Sequence, residues 1–156
     1  MKSKIIDLGM HPFADTFISE KQFGMSEPVY PLQCFLDKDT GEIKVGYDTK
    51  ADDRYNLYDY SYTSSNSNYS RNHWINFAND LAKKTNLNNK KIIEIGSNDG
   101  FLSYQLKRKG ANVLGVDASK FMVKLSKKKI NAIQCIFTFK ESQKIKKSFG
   151  DADIII

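Results

Sequence analysis

The stretch Ile93-Glu-Ile-Gly-Ser-Asn-Asp-Gly-Phe-Leu102 decides the fold. It follows Lys91-Ile-Ile-Glu-Ile95, an apolar run short enough to be a buried strand. Glycines at 96 and 100 let the chain turn tightly and approach a ligand without a Cβ in the way. A helix is expected from Gly100 to Lys109, closed by Gly110 as a C-terminal cap. Its N-terminus leaves free N–H groups at the turn.

Working outward, the same alternation continues. Asn112-Val-Leu-Gly-Val116 reads as a second strand. Ser119 to Lys129 reads as a helix burying Phe121, Met122 and Leu125. Ala132 to Phe137 is a third strand, Lys140 to Ser148 a Lys-rich helix, and Ala152 to Ile156 a fourth strand. Upstream, Trp74, Phe77, Ala78, Leu81 and Ala82 recur at helical spacing behind Ser70 as the expected N-cap. Strands alternating with helices of this length imply βαβ units, a parallel sheet and right-handed crossovers.

Before residue 70 the character changes. Cys34 to Tyr47 reads as a β-hairpin, with Asp39-Thr40-Gly41 at the turn and Ile43 and Val45 alternating on the return. A tyrosine-rich segment, 55 to 62, leads into Thr63-Ser-Ser-Asn-Ser-Asn-Tyr-Ser70. This polar run reads either as a linker or as a binding loop, since hydroxyls and aromatic rings suit a small-molecule pocket. The expected fold class is therefore α/β and Rossmann-like, with only its first four strands present. The expected domains are a small β-rich arm, 1–69, and a partial cofactor-binding domain, 70–156.

Two cofactor classes use a strand–glycine turn–helix corner. A dinucleotide needs G-x-G-x-x-G to seat its pyrophosphate. Here those places hold Gly96, Asn98 and Phe101, and a Phe at the third would block close helix–strand packing. S-adenosylmethionine suits E-x-G-x-x-x-G, which Glu94, Gly96 and Gly100 satisfy. That ligand brings an ammonium and a sulfonium, so a nearby carboxylate attracts it where a pyrophosphate would be repelled. Asp117 ends the second strand 21 positions after Gly96. A carboxylate there can accept both ribose hydroxyls. Asp117 also reads as a cap for the following helix, and Asn98 and Asp99 as ordinary turn residues.

Composition narrows the partners. Apolar residues are 40% and charged residues 27% of 156, as in a folded globular chain. No window reaches the roughly 20 apolar residues of a membrane span, and the N-terminus has no apolar core of signal-peptide length, so a cytoplasmic protein is expected. The net charge of +6 raises nucleic acid as a partner. The excess is almost all lysine, with Arg54, Arg71 and Arg108 as the arginines. Base readout favours arginine, whereas lysines suit solvated helix C-termini, so no nucleic-acid partner is expected. Cys34 and Cys135 have no C-x-x-C spacing and read as buried free thiols.

The loop Gly96-Ser-Asn-Asp-Gly100, in its setting from Ile93 to Leu102, resembles the cofactor loop of the deoxysugar C-methyltransferases. Three further blocks resemble that family in order: Leu8-Gly-Met-His-Pro-Phe-Ala-Asp-Thr-Phe17, Tyr30-Pro-Leu-Gln-Cys34, and Tyr60-Ser-Tyr-Thr-Ser-Ser65. The resemblance implies a class I methyltransferase fold and an S-adenosylmethionine cofactor. It implies C-methylation beside the ketone of a nucleotide-linked deoxysugar, in which a base removes the acidic C–H and the enolate takes the methyl. By the same resemblance, Glu94, Gly96, Ser97, Asn98, Asp99, Gly100 and Asp117 line the cofactor site, joined by Tyr62 and Ser65 from the Tyr/Ser loop. The family's zinc site is two C-x-x-C pairs. Here Cys34 is followed by Asp37 where the second cysteine would fall, and a structural zinc needs four ligands, so no zinc is expected. The chain stops at the fourth of about seven strands that the resemblance implies. The base is therefore unassigned; His11, His73 and Tyr62 are the candidates within the chain. Either the gene is interrupted or a C-terminal half supplied in trans completes the sheet, and the chain alone is expected to lack activity; the alternative readings are a non-catalytic cofactor-binding remnant or interaction module, and a methyltransferase of another small molecule.

Overall fold

A computed structural model describes residues 2–14, 16–50, 54–55, 59–60 and 62–156. Asp15 of the N-terminal motif, and 56–58 and 61 of the tyrosine-rich segment, lie outside the described residues. The chain divides into two compact units, Met1–Tyr58 and Asp59–Ile156.

The first unit is built on β1 (Lys2–His11), β3 (Tyr30–Asp37) and β4 (Ile43–Val45), in the order β1-β3-β4. The short β2 (Thr16–Phe17) and a 3-10 turn at Glu20–Gln22 lie between β1 and β3. The expected hairpin forms, with Cys34 opposite Val45 and Leu36 opposite Ile43. Gly41 takes φ +74° at its turn, and its N–H reaches the Asp37 carbonyl at 2.8 Å. The antiparallel partner β1 was not expected. It runs from Lys2 opposite Asp37 to His11 opposite Tyr30, with register shifts between Lys4 and Ile6 and between Asp7 and Met10. Those irregularities break the period-2 pattern by which a strand is read from sequence.

The second unit begins with β5 (Asp59–Tyr60) and α1 (Asn68–Lys84). Ser67, not Ser70, caps α1: its side chain accepts the Ser70 N–H. Then follow β6 (Lys91–Ile95), α2 (Phe101–Lys107), β7 (Asn112–Asp117), α3 (Lys120–Ser126), β8 (Asn131–Gln134), α4 (Phe139–Phe149) and β9 (Ile154–Ile155). The four strands β6 to β9 form one parallel sheet in the order β8-β7-β6-β9. In chain order this is 3-2-1-4, the doubly wound, Rossmann-like arrangement.

Both sheet faces are covered. Ile92 and Val113 pack with Ala78, Leu102 and Leu106 on one side, joined by Trp74 and Leu81 of α1. Ile93, Leu114 and Val116 pack with Ile145 and Phe149 of α4 on the other. Burial on both faces explains why these strands are continuously apolar. On α3 the buried residues are Met122, Val123 and Ser126, while the expected Phe121 is 42% exposed. With Ser119 as N-cap, accepting the Met122 N–H at 3.2 Å, the inward stripe falls on 122, 123 and 126. Cys34 and Cys135 are free, and half-buried rather than buried. No helix among the described residues is long and apolar enough to cross a membrane.

Candidate functional site: the corner between β6 and α2

In an open parallel sheet, ligands bind outside the carboxyl ends of the strands where the strand order reverses. Here that switch point lies between β6 and β9, and the loop 96–100 sits on it. The loop is tied to the end of β7: the N–H groups of Gly96 and Ser97 both reach the Val116 carbonyl, at 2.8 and 3.0 Å. Gly96 and Gly100 have φ of +74° and +73°, and Asn98 takes +51°, a conformation open to Asn at modest cost. The space where a Cβ on Gly96 would point is open for 4 Å. At Gly100 a Cβ would stand 2.8 Å from Ser126 Cβ and 3.1 Å from Ile130 Cδ1, so this glycine is also demanded by helix packing.

The acidic residues of the corner are all engaged. Asp117, 8% exposed, accepts the Asn98 N–H on Oδ2 and the Ser119 N–H on Oδ1, each at 2.8 Å. It therefore steadies Ser119, which itself caps the helix that follows. Each carboxylate oxygen has a second lone pair, so these bonds leave Asp117 able to accept hydroxyls. Glu94 Oε2 accepts from the N–H and the hydroxyl of Ser103, at 3.0 and 2.6 Å. Burial pushes the Glu94 carboxyl up to about 7; the Ser103 hydrogen bonds oppose this, and the negative charges of Asp99 and Asp117 add to it.

Asp99 is 4% exposed. Its Oδ1 accepts the Ser64 hydroxyl at 2.7 Å and its Oδ2 accepts the Ser65 hydroxyl, with the Lys129 ammonium 3.6 Å away. Asn98 completes the link to the same segment. Its Oδ1 accepts the Ser64 N–H at 2.8 Å and its Nδ2 donates to the Tyr62 carbonyl at 2.9 Å. The Tyr/Ser segment from Tyr62 to Ser65 lies within the second unit, which begins at Asp59.

The structure brings eight of the expected site residues into direct contact or continuous backbone: Glu94, Gly96, Ser97, Asn98, Asp99, Gly100, Asp117 and Ser65. Tyr62 joins them through its carbonyl, and the residue is 43% exposed. The Ser97 hydroxyl behaves differently. It is buried with no hydrogen-bond partner among the described residues, and it packs where a Cβ on Gly115 would lie, at 2.6 Å. Only the backbone of Ser97 faces the corner's hydrogen-bond network. Ser64, Ser103, Ser119 and Lys129 were not among the expected site residues. Ser64 and Ser119 stood beside expected residues, but Ser103 and Lys129 carried only helix-position signals.

Among the described residues, no three His, Cys, Asp or Glu side chains gather as a metal site. His11 Nε2 lies 2.7 Å from the Leu8 carbonyl oxygen, and the His73 ring packs edge-on against Trp74 at 4.7 Å. A cleft of about 710 Å³ in the first unit is lined by Lys2, Phe35, Asp37, Glu42 and Lys44 among others. Its Lys44 and Glu42 pair with each other at 2.9 Å instead of converging on a ligand.

No protein-family model matches the chain, and no curated protein matches it. Solved structures do. The magnesium protoporphyrin IX methyltransferase ChlM from Synechocystis, solved with bound SAH, is 21% identical over 42% of this chain and 35% of its own, with a TM-score of 0.40. A SAM-dependent methyltransferase from Agrobacterium tumefaciens is 22% identical over 53% of this chain and 29% of its own, TM-score 0.41. One from Archaeoglobus fulgidus is 20% identical over 42% of this chain and 29% of its own, TM-score 0.37. The chain thus spans about a third of the length of these structures.

Proposed function

We propose that the second unit binds S-adenosylmethionine at the loop 96–100 and belongs to a methyltransferase. One observation carries this reading: the switch-point corner is acidic. Glu94, Asp99 and Asp117 surround it closely enough for the last two to raise the first, and among the described residues Asp99 alone of the three has a cationic partner, Lys129. A pyrophosphate would meet like charge at close range. A ligand carrying a sulfonium and an ammonium would meet opposite charge, and Asp117 retains lone pairs for its ribose hydroxyls. The open space beside Gly96 supports close approach of such a ligand.

The substrate we propose is a nucleotide-linked keto-deoxysugar, methylated on carbon. The resemblance of the four sequence blocks supports this reading, as do the hydrogen bonds between Tyr62–Ser65 and the loop 96–100. The outer edge of β9 has no strand beside it among the described residues, and Ile155 is 62% exposed. An open edge of this kind supports a reading in which a strand from another polypeptide segment pairs with β9.

Titration calorimetry tests the cofactor. S-adenosylmethionine or its demethylated product should bind, and NAD should not. Asp117→Ala should weaken binding by roughly 1–3 kcal/mol, the worth of hydrogen bonds to a charged acceptor. Tighter binding of NAD, or an unchanged affinity in Asp117→Ala, refutes the assignment.

A further inference from the structure

We propose that residues 62–65 form a strap latched onto the cofactor loop through Asp99, and that Ser64, Ser65 and Lys129 are positioning residues acting through that latch. The proposal rests on the cofactor reading above and deepens it. Asp99 occupies the place in the loop where a ligand-binding acid was expected. Its oxygens instead point at the strap, one taking the Ser64 hydroxyl and the other the Ser65 hydroxyl. Hydrogen bonds to a carboxylate are about twice as strong as neutral ones. At 4% exposure, Asp99 has little room for any other partner.

Lys129 holds the acid from behind. Its ammonium lies 3.6 Å from Asp99 Oδ2 and donates to the Asp99 carbonyl at 3.4 Å. Its own carbonyl accepts from Lys107 at 3.3 Å. On the strap side, the Arg71 guanidinium donates to the Ser65 carbonyl at 2.6 Å, fastening the strap to the first turn of α1. Asn98 adds two bonds, to the Ser64 N–H and the Tyr62 carbonyl. Two adjacent loop residues thus spend their side chains on the strap and leave the backbone of Gly96 and the carboxylate of Asp117 to the ligand. The strap and the loop move as one wall, and any ligand seated against the loop meets the strap already placed.

The double variant Ser64→Ala/Ser65→Ala removes both hydroxyls and leaves the fold's core untouched. The probe is S-adenosylhomocysteine, with affinity read by calorimetry and backbone amide exchange read at 62–66. The variant should bind about tenfold more weakly, since loss of about 1.4 kcal/mol is tenfold, and its strap amides should exchange faster. Ser64→Thr/Ser65→Thr keeps the hydroxyls and should restore both readouts, which a merely structural role would not require. Wild-type affinity in the alanine variant, despite faster strap exchange, overturns the positioning role. Should the wild-type chain bind no S-adenosylhomocysteine, the cofactor reading falls, and amide exchange alone decides the latch. Equal exchange at 62–66 in wild type and alanine variant then overturns it.

Discussion

The two units differ in what holds them. In Met1–Tyr58 the β1–β3–β4 ladder is regular enough to pair ten-residue and eight-residue strands, yet none of its described side chains is buried. Leu8, Ile43 and Val45 are 59%, 63% and 51% exposed. In Asp59–Ile156 the pairing is shorter, but Ala78, Ile92, Leu106 and Met122 are completely buried. Ladder hydrogen bonds exchange with water and contribute only about 0.5–1.5 kcal/mol each. Apolar burial contributes about 25 cal/mol for every Å². The second unit is thus expected to dominate stability, and the first to tolerate change.

The largest contrast lies between two glycines of the same backbone conformation. Gly100 and Gly41 have φ of +73° and +74°, but a Cβ meets Ser126 and Ile130 at the first and nothing at the second. Gly100→Ala should cost roughly 3–5 kcal/mol, combining the left-handed penalty with overpacking. Gly41→Ala should cost only about 1–2 kcal/mol, the left-handed penalty alone. Urea unfolding followed by far-UV circular dichroism measures both; equal losses would remove the distinction between the units.

A pH effect of similar size belongs to the second unit. The Glu94 carboxyl titrates at about 7 in the folded chain against an ordinary 4.5. Between those values the folded state holds a proton that the unfolded state has lost. Stability is therefore full below about pH 4.5 and falls as pH rises through 7, by roughly 3 kcal/mol in all at 1.36 kcal/mol per pH unit. Glu94→Gln keeps an acceptor for Ser103 and should flatten this slope between pH 5 and 8. A slope that survives in the variant would assign the effect to another group.

The smallest expected effect has the opposite sign. The Ser97 hydroxyl is buried without a partner among the described residues, so Ser97→Ala should leave stability unchanged or raise it by up to about 1 kcal/mol. A loss above that range would mean the hydroxyl has a partner in solution.

Several features were legible in sequence because their causes are local. The turns at Gly96, Gly100 and Gly41 were legible because glycine lacks the Cβ that disfavours positive φ. The alternation of Ile92 and Ile93 between the two cores follows from the strand period, and the strand–turn–helix order follows from residues within one turn of each other. Asp117 was found by its place at a strand end. The Ser67 cap was missed because Ser70, three residues on, has the same capping chemistry, and only the backbone at each position distinguishes them.

What the tertiary structure decided is which groups meet across the chain. The order β8-β7-β6-β9 depends on which strand edges remain free after each crossover, a choice no single segment encodes. Glu94 also holds Ser103, a contact made only because α2 packs its first turn over the end of β6. Asp99 also holds Ser64 and Ser65, more than thirty residues earlier. A carboxylate's chemistry can be read from its letter, but its partners are set by packing, because hydrogen bonds reach only the groups that the core brings within about 3 Å.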